Sequence, residues 1–521
     1  MPSKGSIRLR IIVTAAVVAA AAVGGLQLLP SDDDEVAPIR VGTTDRVTSL
    51  DPAYAYDAGS WAIFSNVYQS LLTLKSGIPT PIPDAAKSCG FVGKKLVTYQ
   101  CELNDNVVFS NGGKVTAEDV KFSFDRILRN KMTVGPRSLF ASLKSVQVSG
   151  NKITFNLLSG DATFPLKIAS GAGAIVDRSK YPAAGERTDG GVDGSGPYVM
   201  AAFSKEQVAS LRPNPRYRGA VQKAGQPVDV RYYKKADDLL AAWEGEEVDV
   251  THRKLPPKTL SELKVGDPNV RISEVQASET RNTVFNVRKS SPFANAEVRR
   301  AAAYLIDRPK LVRDVYYNTV EPLYDAIPKG IIGHSTPFFD VSTKVDPVKA
   351  KQELTEAGVQ LPVRFTLGYF INGASQAEAK ELKKQLESGG LFSVELVEKE
   401  VWEEFQQDYK EGKFDAYNVG WVADFPDPDN YSQPLVGKDN SNANAYANPE
   451  VDRLIVKTQG TAIRSDAIDD FKAMQRIVAR DVPLAPLWQS KDYVLTSGRF
   501  GGVEYLSDGT GVWRLWELKR L

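Results

Sequence analysis

The chain has 521 residues, 42% of them hydrophobic and 25% charged, the profile of a folded globular protein long enough for two to four lobes around a cleft. Lys+Arg 65 against Asp+Glu 64 leaves almost no net charge, so a nucleic-acid partner has no electrostatic support. Two histidines (His252, His334) and two cysteines (Cys89, Cys101) leave little from which to build a zinc cluster or a histidine-based catalytic centre.

Lys4, Arg8 and Arg10 precede the uncharged run Ile11 to Leu29. Positive charge ahead of an apolar stretch is an export signal. As a helix the run would reach roughly 28 Å, about one hydrocarbon core, so an uncleaved anchor in the cytoplasmic membrane and a cleaved signal are both open. No cysteine follows it, which excludes a lipoprotein, and SDDDE (31–35) reads as a solvated acidic spacer. Residues 1–35 are therefore set apart as signal or anchor plus linker.

A short strand near Ile39 and a loop at Leu50-Asp51-Pro52 lead into a helix from about Ser60, with Trp61, Phe64, Val67, Tyr68 and Leu71 at helical spacing. From Ile78 to Val192 hairpins prevail, punctuated by SNGGK (110–114) and VSGNK (148–152) and interrupted by a helix at Thr116 to Leu128, with Thr116 as N-cap and carboxylates in its first turn. Gly93-Lys94-Lys95 predicts a turn that sets Cys89 opposite Cys101, and export favours a disulfide between them. Ala236 to Trp243 reads as a helix, 261–280 as a polar stretch, 283–287 as a buried strand and Asn295 to Val315 as one helix. Strand and helix then alternate through RFTLGYF (364–370), a helix at Ser375 to Glu387, VELVEKE, a helix in WEEFQQDYKEG and the strand FDAYNVGW, before strand at 485–496 and a closing strand and loop. Such alternation implies a sheet covered on both faces.

Five blocks in this order, LDPAYAYDAGSWAIFSNVYQSLL, ELNDNVVFSNGGKVTAEDVKFSFDRIL, GSGPYVM with RPNPRYRG, FNVRKSSPFANAEVRRAAAYLIDRPKLV and FDAYNVGWVADFPDPDNY, resemble the substrate-binding proteins of ABC importers in the peptide/nickel group, solute-binding family 5. The resemblance spans roughly residue 39 to the end. It implies an α/β, two-lobe periplasmic-binding-protein-like fold with an extra α+β subdomain in the first lobe, closing over a central cleft. The expected division is 36–77 with 193–270 and 489–521 for lobe I, 78–192 for the inserted subdomain and 271–488 for lobe II.

In the peptide-binding members an aspartate three residues after the tryptophan of the last block receives the peptide's α-amino group, and Trp421 to Asp424 has that spacing. The resemblance thus implies Asp424 as the amino-group acceptor and Trp421 as a packing or turn-holding partner, with Pro426 and Pro428 fixing the turn. Asp427, Asp429 and Asn430 are assigned to turn backbone. Tyr54, Tyr56 and Trp402 are further lining candidates, weighed against core or hinge packing, and Arg281 a candidate for a ligand carboxylate. Asp427-Pro-Asp429 opens like an EF-hand loop, but Ser432 and Lys438 stand where its glycine and glutamate belong. A glycosidase-type pair of Asp424 and Asp429 has no support from spacing, and Ser195 in Gly194-Ser195-Gly196 lacks a nucleophile-elbow context.

The expected protein is no enzyme, uses no cofactor or metal and works outside the cytoplasm as a monomer. Its partners are a small peptide or other small solute, an ABC permease with its ATPase, and the cytoplasmic membrane through the N-terminal segment. The competing readings are a membrane-anchored sensor or surface scaffold on the same fold, and a receptor for a sugar, opine or chelated metal.

Overall fold

The computed structural model describes residues 36–521 apart from 77, 79, 133–134, 253–254, 264–269, 342–343 and 508. The expectations for Ile11 to Leu29 and for the acidic spacer lie outside these residues. None of the described helices is long and apolar enough to cross a membrane.

An 11-stranded mixed sheet runs through the described residues, in the order Phe392–Lys399, Val363–Phe370, Ala416–Trp421, Arg271–Phe285, Leu484–Thr496, Val250–His252, Ile39–Thr43, Val228–Tyr232, Val208–Pro213, Tyr198–Ser204, with Val320–Pro322 paired to Leu484–Thr496. Its two longest strands, Arg271–Phe285 and Leu484–Thr496, pair antiparallel from Arg271 opposite Thr496 to Val284 opposite Leu484. At one end Thr496 also pairs with Val250, and at the other Phe285 pairs with Ala416, so these two strands carry the chain between two half-sheets. Their register breaks between Gln276 and Thr280 and again between Arg281 and Asn282. Breaks of this kind bend a ladder locally, and here they sit between the halves. Residues 488 and 489 are consecutive within one of these strands.

Each half has its own core. The first gathers Ile39, Trp61, Phe64, Phe124, Phe155, Tyr198 and Trp513, and the second Phe285, Phe293, Leu305, Phe365, Phe405, Tyr417 and Phe471. A four-stranded antiparallel sheet, Ala86–Phe91, Thr98–Leu103, Lys152–Leu157 and Leu143–Ser149, packs its apolar face into the first core together with the helix Ala117–Arg129. That helix begins where its sequence says: the Thr116 hydroxyl accepts from the Asp119 N–H while the Asp119 carboxylate accepts from the Thr116 N–H, satisfying two donors that the first turn leaves unpaired. Gly93, at φ +79°, turns the hairpin that sets Cys89 opposite Cys101, and their sulfurs are bonded at 2.00 Å.

Three local expectations need correction. The stretch from Asn295 to Val315 is two helices, Ala296–Leu305 and Arg308–Asp314, because the Asp307 side chain caps the second and Pro309 has no N–H to continue the first. The helix after the Asp51-Pro52 loop ends at Val67, with Tyr68 extended. The polar stretch before Thr280 is already strand from Arg271, paired antiparallel with Leu484–Thr496.

Candidate ligand-binding site

The strand Ala416–Trp421 ends in a tight loop, and the helix Asp429–Val436 begins eight residues later. Asn430, in the first turn of that helix, ties the loop together. Its Oδ1 accepts from the Asp424 N–H at 2.9 Å and the Trp421 indole N–H at 3.3 Å, while its Nδ2 donates to Asp424 Oδ2 at 3.0 Å. Asp427 accepts from the Asp429 N–H at 2.9 Å and forms a forked ion pair with Arg464 at 2.7 and 2.8 Å. Asp427 thus holds the turn, and Asn430 also fixes the Asp424 side chain.

Asp424 meets the other half of the molecule. The Tyr56 hydroxyl donates to Asp424 Oδ2 at 2.9 Å, and the Tyr56 ring stands edge-on to Trp61 at 5.5 Å. The loop carrying Tyr54 and Tyr56 is anchored by a buried fork: Arg126 donates to both Asp51 oxygens at 2.7 and 2.6 Å, and the Arg187 N–H adds a third bond at 2.9 Å. Phe425, the neighbour of Asp424, is buried in the first core although its chain segment belongs to the second half-sheet. A second bridge between the halves runs from the Ala162 N–H to the Gln459 carbonyl at 2.8 Å. Beside it Lys167 pairs with Asp161 at 2.7 Å, and Gln459 Nε2 donates to Asp429 Oδ2 at 3.2 Å.

Burial dominates the electrostatics here. It pushes the Asp424 carboxyl up to about 6, against the bonds from Asn430 and Tyr56 and the more distant charge of Lys167. Asp429 is likewise pushed up to about 6 by burial. Burial, then the charge of Asp424, drives the Tyr56 hydroxyl well above its usual range, so it remains a donor. Among the described residues no cation stands within ion-pair distance of Asp424. The carboxylate has neutral donors around it and a charge still to be matched.

The other expected site residues have other neighbours. Tyr54 is half-buried on the first core, with the Arg126 guanidinium 5.9 Å above its ring. Trp402 opens the helix Trp402–Glu411 and is 39% exposed, its ring 5.6 Å from Phe370. Arg281 donates through Nε to Glu378 Oε1 at 2.8 Å, and the buried Glu378 also accepts from Tyr316 OH at 2.7 Å and Trp488 Nε1 at 2.8 Å. Asp424, Trp421 and Tyr56 are therefore brought together, whereas Trp402 and Arg281 are held in separate clusters. Sequence reasoning missed Asn430 as the residue that orients Asp424, and it missed Lys167 and Glu378. Asn430 was legible in principle, as the one amide in a loop of carboxylates. Lys167 lies more than two hundred residues away and carried no signal.

Among the described residues no group of three or more histidines, cysteines and acids is placed to hold a metal ion. His252 is buried against Trp513 at 4.6 Å, and His334 Nδ1 bonds the Ile327 carbonyl at 2.7 Å.

Residues 80–443 match the family model of the bacterial extracellular solute-binding proteins, family 5 (middle region). A heme-binding protein A of Haemophilus influenzae is 26% identical over 484 residues, covering 86% of this chain and 85% of its own. A probable D,D-dipeptide-binding periplasmic protein of Escherichia coli is 25% identical over 472 residues, covering 88% of this chain and 89% of its own. Among solved structures, an ABC transporter-associated periplasmic binding protein of Helicobacter pylori, in complex with the peptide STSA, superposes with a TM-score of 0.79 at 20% identity, covering 93% of this chain and 98% of its own. The fold is thus the two-lobe periplasmic-binding-protein architecture.

Proposed function

The chain belongs to the bacterial extracellular solute-binding proteins of family 5, and we propose from that membership that it is the receptor of an ABC importer, capturing oligopeptides outside the cytoplasmic membrane and delivering them to the permease and its ATPase. In this reading lobe I comprises 36–77, 193–270 and 489–521 with the inserted subdomain 78–192, lobe II comprises 271–488, and cargo is enclosed between them. Asp424 holds the free α-amino group, Trp421 and Tyr56 border it, and Tyr54, Trp402 and Arg281 extend the lining.

The observation that carries this reading is the chemistry of Asp424. Its carboxylate is half-buried where the two halves meet, oriented by Asn430 and Tyr56, and has no ion-pair partner among the described residues. Isolated buried carboxylates are costly, and an ammonium at hydrogen-bond distance is the partner that offsets the cost. A heme or a neutral sugar presents no such group, so the site favours peptides over those cargoes.

The test is native mass spectrometry of residues 36–521 from the producing cell, compared with the same sample denatured. A released mass matching short peptides, absent from Asp424→Ala, is expected. A non-peptide mass keeps the receptor and replaces the cargo. No adduct after exposure to peptide and sugar mixtures refutes the receptor reading and favours an anchored sensor or scaffold.

A further inference from the structure

The strand Val208–Pro213 of the first half runs into a turn, 214–218, that is pinned from beneath. The buried Asn214 donates its N–H to the Pro197 carbonyl and its Nδ2 to the Gly196 carbonyl, both at 2.8 Å, and its Oδ1 accepts from the Arg216 N–H at 3.0 Å. Tyr217, 1% exposed, donates its hydroxyl to Asp84 Oδ1 at 2.9 Å. With Tyr217 turned inward, Arg216 and Arg218 flank it on the outside, both exposed. Their guanidiniums are aimed by carbonyls: Arg216 Nη1 donates to Ser110 at 3.2 Å, and Arg218 Nη1 to Pro215 at 3.0 Å and Tyr217 at 2.8 Å. Among the described residues, Nε and Nη2 of each arginine have no protein acceptor, and no carboxylate stands within ion-pair distance of either.

Facing this turn is the hairpin 107–115, closed by bonds from the Phe109 N–H to the Gly113 carbonyl at 2.7 Å and from the Val115 N–H to the Val107 carbonyl at 3.0 Å. The two segments enclose a solvent-open groove of about 540 Å³ lined by Asn106, Val108, Gly112, Pro215, Arg216 and Arg218. Gly112, at φ +90°, puts no side chain into it, and a Cβ there would stand 3.9 Å from Arg216 Nε. Lys114, bridged through its backbone to Val108, adds a third exposed cation. The acids around the hairpin are engaged: Asp105 accepts from Asn151 at 2.5 Å, while Asp177 and Asp193 accept from Asn111 at 2.9 and 3.3 Å. The groove is therefore positively charged on one wall and has no carboxylate in its lining.

We propose that this groove binds a phosphate ester, held by the Arg216 and Arg218 guanidiniums. A carboxylate has two oxygens in one plane and is saturated by a single guanidinium fork. The terminal oxygens of a phosphate surround a tetrahedral centre and accept from two forks in different planes, which is what two arginines on one turn present. The open volume beside them takes the organic part of the ester, against Val108 and Pro215. A soluble ester and the headgroup of a lipid share this chemistry. The lining comes from the first half alone, so the site works independently of Asp424 and of the cargo proposed for it.

The test is isothermal titration of the full chain with glycerol 3-phosphate at fixed ionic strength, with glycerate as the carboxylate of matching size. Binding of the phosphate, with glycerate about tenfold weaker or more, is expected, and Arg216→Ala or Arg218→Ala each weakens it about tenfold. The double variant Arg216→Lys, Arg218→Lys keeps the charge without the forks and is expected to lose as much. Should an arginine variant fail to fold, Asn106→Asp, which sets a carboxylate in the groove beside both arginines, is expected to weaken the phosphate in its place. Flotation with phosphatidylcholine vesicles, with and without phosphatidic acid, separates the sources: phosphatidic acid retaining the parent more than its arginine variants assigns a lipid headgroup, and binding of glycerol 3-phosphate alone assigns a soluble ester. Equal affinity for glycerol 3-phosphate and glycerate, full affinity in the lysine variant, or binding to neither the ester nor the phosphatidic acid vesicles overturns the proposal.

Discussion

Ionisation of Asp424 gives the most direct handle on the proposed mechanism. Burial holds its carboxyl at about 6 instead of the ordinary 3.8, a difference corresponding to about 3 kcal/mol between its two protonation states. A carboxyl at about 6 is about nine-tenths ionised at pH 7 and about one-tenth ionised at pH 5, while a peptide's α-amino group stays charged throughout. With the halves together before the ligand enters, as they are here, Asp424 already has this value, and if the ammonium binds the ionised form, apparent affinity falls about tenfold from pH 7 to pH 5. For the unliganded protein the sign is opposite. An acid whose folded value is raised holds its proton longer when folded, so the stability this proton confers is present at pH 4 and lost as pH rises through about 6. Asp429 acts in the same direction. Isothermal titration with a short peptide across pH 5–7.5, with Asp424→Asn alongside, separates the two effects: the parent shows the tenfold loss, and the variant binds weakly with a flat profile. A variant that keeps the parent's profile refutes the amino-group assignment, and a parent whose affinity is unchanged between pH 7 and 5 shows instead that Asp424 is desolvated only when the halves close.

Tyr56→Phe removes a donor to the ionised Asp424, so the midpoint of the binding pH profile moves up by about one pH unit; an unmoved midpoint would show that the hydroxyl does not stabilise the ionised carboxylate. Glu378→Gln leaves the Arg281 guanidinium without its counter-charge, and urea unfolding is expected to show a loss of about 3 kcal/mol. The double variant Cys89→Ser, Cys101→Ser opens a loop with a sequence separation of 12, and the same assay should register a loss of about 3 kcal/mol, reproduced in the parent by reduction.

The elements that local chemistry defines were legible in the sequence. The capping box at Thr116 and Asp119, the hairpin turn at Gly93 and the alternation of FDAYNVGW each express a short-range rule and each appears in the fold. The break at Asp307 was also written locally, as Asp-Arg-Pro, but the apolar spacing of Val298, Ala301, Leu305 and Ile306 ran up to it and concealed it. The strand from Arg271 could not be found by periodicity, because its partner Leu484–Thr496 lies some two hundred residues away and supplies its pairing. The site divides in the same manner. Trp421 and Asp424 share a loop and could be read together, whereas the bonds from Tyr56 and the charge of Lys167 reach Asp424 only after both halves have folded. The Glu378 carboxylate that Arg281 bonds lies 97 positions away, a pairing that no local pattern shows.

The same burial that perturbs Asp424 also gives the proposed cargo a way to favour closure. A ligand shifts an open–closed equilibrium only by its differential affinity for the two states. Phe425 packs in the first core and Tyr56 bonds Asp424, so both contacts exist only with the halves together, and bringing them together is what desolvates the carboxylate. At neutral pH closure without a cation therefore carries the cost of that ionised group, about 3 kcal/mol, while closure on an ammonium recovers it as a charge-assisted bond. That difference is worth a factor of about one hundred in the closed population, enough for a permease to distinguish a loaded receptor from an empty one. An uncharged or N-acetylated peptide of the same sequence would fill the cleft without recovering the cost. Such a ligand is expected to bind about one hundredfold more weakly and to leave small-angle scattering in its open form. Equal compaction by free and N-acetylated peptides would separate closure from the charge on Asp424 and leave shape alone to drive it.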